Sequence, residues 1–209
     1  MSVDFSERGR RLARGNRPLR RFLILCEDTK SAVLYLKRFP VDERVVRVEC
    51  VGTGMNTDSL MEEAIRRKER ARAEGAPFRD IWVVFDRDSF PAENFDRAFD
   101  LVRVHPEITA CWSNECFEVW YLLHFGFHQT AIGRVDLCRK LSDFLGKAYD
   151  KGDATIYDAL SHKIEDPLRN ADRLALCNLR KDNPSTKVHR LIRELRKLAP
   201  SEAASASSS

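Results

Sequence analysis

The sequence predicts an α/β protein: a mostly parallel sheet flanked by helices, with a C-terminal helical region. Three observations carry that prediction. Four short runs, "RFLILC", "RVVRVECVG", "DIWVVFD" and "EITACW", are rich in branched and aromatic residues and read as strands. Stretches of helical spacing separate them, the alternation that makes successive strands parallel. Beyond residue 130 strand-like runs give way to polar helical patterns.

Each element has its own signature. "RFLILC" (21–26) is continuously apolar, as a strand buried on both faces must be. "SAVLYLKRF" (31–39) places Val33, Leu34, Leu36 and Phe39 at helical spacing before Pro40 stops it. "RVVRVECVG" (44–52) alternates as a second strand. "NTDSLMEEAIRRKERARAEG" (56–75) is a helix with Asn56 or Thr57 as cap, glutamates early, arginines late and Gly75 at its end. "DIWVVFD" (80–86), "ENFDRAFDLVRVH" (93–105) and "EITACW" (107–112) continue the order strand, helix, strand. "NECFEVWYLLHFG" (114–126) is apolar nearly all round and predicts a buried helix. Helical patterns follow at 134–146, 155–161, 166–181 and 184–198, the last with Ser185 or Thr186 as its cap after Pro184.

Composition bounds the rest. The 209 residues are 43% hydrophobic and 33% charged, a soluble globular composition with enough apolar residues for one core. No apolar run approaches the roughly 20 residues that cross a bilayer, and the N-terminus has no signal-peptide stretch, so a cytoplasmic protein is expected. Six cysteines (26, 50, 111, 116, 138 and 177) form no C-x-x-C pair and read as free thiols, four of them in or beside apolar runs. The net charge of +4 is uneven: residues 1–21 hold seven arginines against Asp4 and Glu7, a local +5 that leaves −1 for the remainder. Residues 1–20 form a basic arm, read either as a phosphate-binding segment or as a solvated leader. The folded domain spans 21–198, with a sheet core at 21–126 and a helical region at 127–198; the tail 199–209 has a low-complexity, disordered composition.

In open α/β sheets the ligand site lies beyond the carboxyl ends of the strands. Glu27 follows the first strand, Asp86 and Asp88 the third, and Glu115 and Glu118 the fourth. In an extended D-x-D the two aspartates share a face. Carboxylates gathered in one crevice repel unless a hard cation sits among them, and oxygen ligands without His or Cys fit Mg²⁺ or Mn²⁺. Acids at strand ends are also ordinary loop residues. Glu118 is costly to bury on an apolar helix unless it serves a site or pairs with an arginine. Cys116 stands where a capping box from Ser113 would need an acid. "VGTGMN" supplies Gly52 and Gly54, which either line a phosphate path or simply make a turn. Lys151 in "AYDKGD" is a candidate phosphate-binding cation or a plain surface lysine.

A Glu after the first strand and D-x-D after the third resemble the acidic signature of the TOPRIM fold of topoisomerases, primases and OLD-type nucleases. More closely, "LILCE" with Tyr35 downstream, "VGTGMNT", "VVFDRD", "SNECFEVWYLLHF" and "NPSTKVHRLIREL", in that order over about residues 22–198, resemble the RloB-like (AbiLii-like) family of phage-defence loci. The chain departs from the family pattern at Asp28, where glycine is usual, at Ser31 and Ala32, where Thr-Glu is usual, and at Glu115, where proline is usual. The matching acids are Glu27, Asp86, Asp88 and Glu118.

The resemblance implies a metal-dependent endonuclease acting on DNA or RNA, tRNA included. Glu27, Asp86 and Asp88 would hold Mg²⁺ or Mn²⁺, Glu27 would serve alternatively as general base, and Glu118 would complete the catalytic set. It also implies an effector paired with an ATPase partner. A catalytically silent module that binds nucleic acid or docks on the ATPase is the alternative. A phosphoacceptor receiver ranks below both, because its aspartate pair belongs on the first strand.

Overall fold

The structure is a computed structural model and describes residues 19–87 and 92–200, with only the helical backbone for 92–94. The parallel strands are β1 (Arg20–Cys26), β2 (Val46–Gly52), β3 (Asp80–Asp86) and β4 (Ile108–Asn114). They lie in the order β2-β1-β3-β4, and a fifth strand, β5 (Ser185–Thr186), joins the β4 edge antiparallel. The mostly parallel α/β class expected from the sequence is therefore the one observed.

The continuous apolar runs take the centre because both faces of the sheet are covered. Phe22, Ile24, Cys26, Trp82 and Val84 face one core, whereas Leu23, Leu25, Ile81, Val83 and Phe85 face the other. The second core is closed by α2 (Thr57–Ala73) and α3 (Ala92–Val104) through Leu60, Met61, Ala64, Phe95 and Ala98. The first is closed by α1 (Ser31–Leu36), α4 (Glu118–Leu122), α5 (Arg134–Leu145), α6 (Ile156–Leu160), α7 (Glu165–Cys177) and α8 (Val188–Arg196). The helices beyond residue 130 thus complete one face of the sheet. Cys26, Cys50, Cys111 and Cys116 are buried.

Helix α2 starts where the Asn56 side chain accepts from the Ser59 amide at 2.9 Å, and the chain leaves it at Gly75 with φ +72°. Two expectations are corrected at the β4 edge. The residues 114–126 do not form one helix: β4 runs on to Asn114 and α4 begins only at Glu118. Ser185 and Thr186 do not cap the last helix but pair with Asn114 and Ser113 as β5. The two corrections have one cause. The Ser113 and Thr186 hydroxyls meet at 2.9 Å, and Asn114 Nδ2 donates to the Asp182 carbonyl at 2.9 Å, which keeps both segments extended. Thr186 still accepts from the Val188 amide at 3.2 Å, a residue of the capping role.

Arg20 and Arg21, counted with the basic arm, open β1 instead. They pair with Asp80 and Glu49 at 2.7 and 2.8 Å. The other five arginines of the arm (8, 10, 11, 14 and 17) and the tail 201–209 lie outside the described residues. Among those described, no helix is long and apolar enough to cross a membrane.

Candidate active site

Four parallel strands deliver Cys26, Gly52, Asp86 and Asn114 to the same edge of the sheet. Glu27 is the first residue past β1. Its amide donates to the Val84 carbonyl at 2.9 Å, which extends the β1–β3 ladder by one step. Its carboxylate accepts from the Asp86 amide and the Thr57 hydroxyl, both at 3.3 Å. Glu27 and the start of Asp86 therefore meet across adjacent strands, as strand-end geometry requires. Asp88 lies outside the described residues.

The loop after β1 is held from two sides. The Thr53 and Gly54 amides donate to the Cys26 and Glu27 carbonyls, each at 2.9 Å. A Cβ on Gly52 would come within 2.6 Å of the Asp28 carbonyl oxygen and 2.7 Å of Thr29 Cα. Gly52 is thus required for close backbone approach to the Glu27 loop, and that space is already filled by protein. Asp28 accepts from the Ser31 hydroxyl at 2.6 Å and the Ala32 amide at 3.2 Å, which ties the loop to the first turn of α1.

The acids divide into two environments. Asp86 is partly exposed, with the Arg134 guanidinium 3.7 Å away. Glu118 is 0% exposed. Its Oε1 accepts from the Tyr149 hydroxyl at 2.9 Å and faces Lys151 Nζ at 3.6 Å. Burial alone would raise the Glu118 pKa, but the Lys151 charge, aided by Tyr149, holds it below the usual carboxylate value. In return, Glu118 keeps the half-buried Lys151 ammonium charged. Glu115, beside α4 rather than on it, accepts from Asn183 Nδ2 at 3.1 Å.

Arg134 and Tyr149 carry no signal in the sequence: nothing local distinguishes either until the fold brings it beside the acids. Glu118 pairs with Lys151, not with the arginine expected of an ion pair.

Among the described residues no group of three or more His, Cys, Asp or Glu is placed to hold a metal. Glu27 and Asp86 supply oxygen donors. The thiols of Cys111 and Cys116, whose titration feels Asp86, are pushed far up by burial and stay protonated. An all-oxygen donor set of this kind fits Mg²⁺ or Mn²⁺ better than zinc.

Residues 22–195 match the family described as RloB-like protein. The chain belongs to the RloB-like family. Membership is consistent with a protein of a defence locus. Neither a curated protein nor a solved structure matches the chain.

Proposed function

We propose that this RloB-like chain is a metal-dependent nuclease of TOPRIM type, the effector of an antiphage system with an ATPase partner. The observation that carries the reading is the meeting of Glu27 and Asp86 across β1 and β3, at the carboxyl edge where such sheets bind ligands. Mg²⁺ or Mn²⁺ held by Glu27, Asp86 and Asp88 would lower the pKa of a water and offset charge on the scissile phosphate. Thr57 orients the Glu27 carboxylate through its hydroxyl. Arg134, half-exposed beside Asp86, meets an incoming phosphodiester as a cation. Glu118 is sealed from solvent and acts through Lys151, which it holds charged at the rim.

The test is incubation of the full chain with plasmid and with bulk tRNA, with Mg²⁺, Mn²⁺ or EDTA. Cleavage of one substrate that EDTA stops, and that Glu27→Gln and Asp86→Asn each lower by about two to three orders of magnitude, is the expected result. Equal cleavage by wild type and both variants would overturn the reading. Co-expression with the neighbouring ATPase should make the wild type toxic or protective and leave Glu27→Gln inert.

One observation favours a second reading. Arg134 at 3.7 Å already provides Asp86 with a positive neighbour, as a silent module without metal would need. Nucleic-acid binding without metal-dependent cleavage, and ATPase docking untouched by Glu27→Gln, would select that reading.

A further inference from the structure

The two edges of the sheet are built differently. The β5 edge is a two-residue strand, too short to template another chain. The β2 edge is seven residues long, pairs with β1 along its whole length, and has no strand on its other side among the described residues. Natural sheets blunt long edges with proline, a bulge or charged side chains; Val46–Gly52 has no proline or lysine, and its two charges, Arg47 and Glu49, are of opposite sign. Val45, just before it, is 59% exposed.

We propose that two copies of this chain pair antiparallel along β2 about a two-fold axis at Val48, joining two five-stranded sheets into one. The sequence "VVRVECV" (45–51) is self-complementary in that register. Arg47 falls opposite Glu49 of the second copy, and Glu49 opposite its Arg47. Val46 meets Cys50, Val45 meets Val51, and Val48 meets Val48. Directly opposed residues share a face of the sheet, so each charge meets its opposite on one face, flanked by the Val45–Val51 pairs, while Val46, Val48 and Cys50 meet on the other. Neighbouring registers fail. A shift of the axis to residue 47 sets arginine against arginine, and one to residue 49 sets glutamate against glutamate. A half-step shift turns the apolar face of one copy toward the polar face of the other. Such a contact is isologous, as a two-fold dimer requires.

The surroundings suit a second chain. Arg47 is exposed and free to turn toward it. Glu49 already accepts from Arg21 at 2.8 Å through Oε1, which fixes the carboxylate while leaving a second oxygen for the incoming guanidinium. A groove of about 610 Å³ lies alongside β2, where Phe39, Pro40 and Val48 stand beside Lys37, Glu43 and Glu49, and extends the contact beyond the strand with both apolar and charged groups. The axis lies at the sheet edge, so the contact leaves the carboxyl ends of β1 and β3 open, and dimerisation does not depend on the chemistry proposed above.

Sedimentation and light scattering of the full chain test this. The expected mass is twice the 24.1 kDa of one chain at tens of micromolar. Arg47→Glu, a surface change whose fold circular dichroism verifies, sets glutamate opposite glutamate twice and should weaken the dimer about tenfold or more. Glu49→Arg should do the same, and the double exchange Arg47→Glu/Glu49→Arg should restore the dimer. A wild type that remains monomeric overturns the proposal, as does a dimer indifferent to both single reversals. A chain that dimerises only after removal of residues 1–18 also overturns it, since the arm would then be the occupant of this edge.

Discussion

Glu27 with Asp86, and Glu118 with Lys151, stand beyond the same edge of one sheet, yet their surroundings make them different chemical objects. Asp86 keeps 15% of its side chain in solvent and Glu118 keeps none. Glu27 accepts from a backbone amide and a hydroxyl, both at 3.3 Å. Glu118 is matched by an ammonium at 3.6 Å and a phenol at 2.9 Å. A carboxylate that keeps solvent access can take up an incoming cation. One sealed against a lysine has spent its charge inside the protein. Proximity in sequence to a signature is thus a weaker guide to role than the partner each acid has found.

The sharpest way to break this comparison is to remove each charge with an isosteric amide. Asp86→Asn should cost about two to three orders of magnitude in metal-dependent cleavage while changing stability by less than about 0.5 kcal/mol. Added Mn²⁺ should raise the melting temperature of wild type and leave that of Asp86→Asn unchanged. Glu118→Gln should do the reverse, costing stability by about 1–2 kcal/mol; the full penalty of a broken buried pair is reduced because Lys151 faces water in part. If Glu118→Gln abolishes cleavage at unchanged stability, and Mn²⁺ fails to stabilise it, Glu118 belongs with the open pair and the distinction falls.

A second measurement concerns the support of the open pair. Gly52→Ala would press a methyl group to within 2.7 Å of the Asp28–Thr29 backbone, which cannot yield like a flexible side chain. The loop carrying Glu27 must shift, at a cost of about 1–3 kcal/mol in stability and a weaker response to Mn²⁺. Gly54→Ala tests φ strain at +67° instead, with Thr29 Cγ2 3.8 Å from the added Cβ, and should cost less stability, about 1 kcal/mol. Equal losses in the two variants would show that backbone strain, not the close approach, governs this loop.

The strands and the Asn56-capped helix were legible because local rules decide them: uninterrupted apolar runs, a cap and a glycine stop. The break between β4 and α4 was not, because periodicity alone cannot tell an apolar strand end from the first turn of an apolar helix. What keeps Ser113 and Asn114 extended is a contact with residues 182–186, some 70 positions away. The same distance hid β5. Glu27 and Asp86 could be placed at the strand ends from order alone, whereas Arg134, Tyr149 and the Lys151 pairing depend on how the C-terminal helices close over the sheet. Gly52 read as a turn or phosphate-path glycine; its packing against Asp28 and Thr29 requires knowing which loop crosses it.

The smallest expected effect uses pH to ask whether Glu118 is ionised inside the protein. Its pKa is held below the ordinary value of about 4.3. A carboxylate with a lowered folded pKa contributes stability that is complete above its unfolded value and is lost as pH falls through the folded one. Wild-type stability should also fall between pH 6.5 and 4 for another reason. Burial lowers His124 and His189 to about 4, so in that interval the unfolded chain binds protons that the folded chain does not. That loss, of the order of 1 kcal/mol per pH unit for each histidine, masks the carboxylate in a simple titration. The difference between wild type and Glu118→Gln removes it, because both chains carry the same histidines. Of the groups facing Glu118, Lys151 stays charged, and the Tyr149 and Cys116 protons stay on, throughout this range. The difference in unfolding free energy should therefore be flat from pH 8 to about 5 and shrink only below about 4.3. A difference that already shrinks above pH 5 would mean that burial outweighs Lys151, that Glu118 takes up a proton near neutrality, and that it resembles a general acid more than an anchored counter-charge.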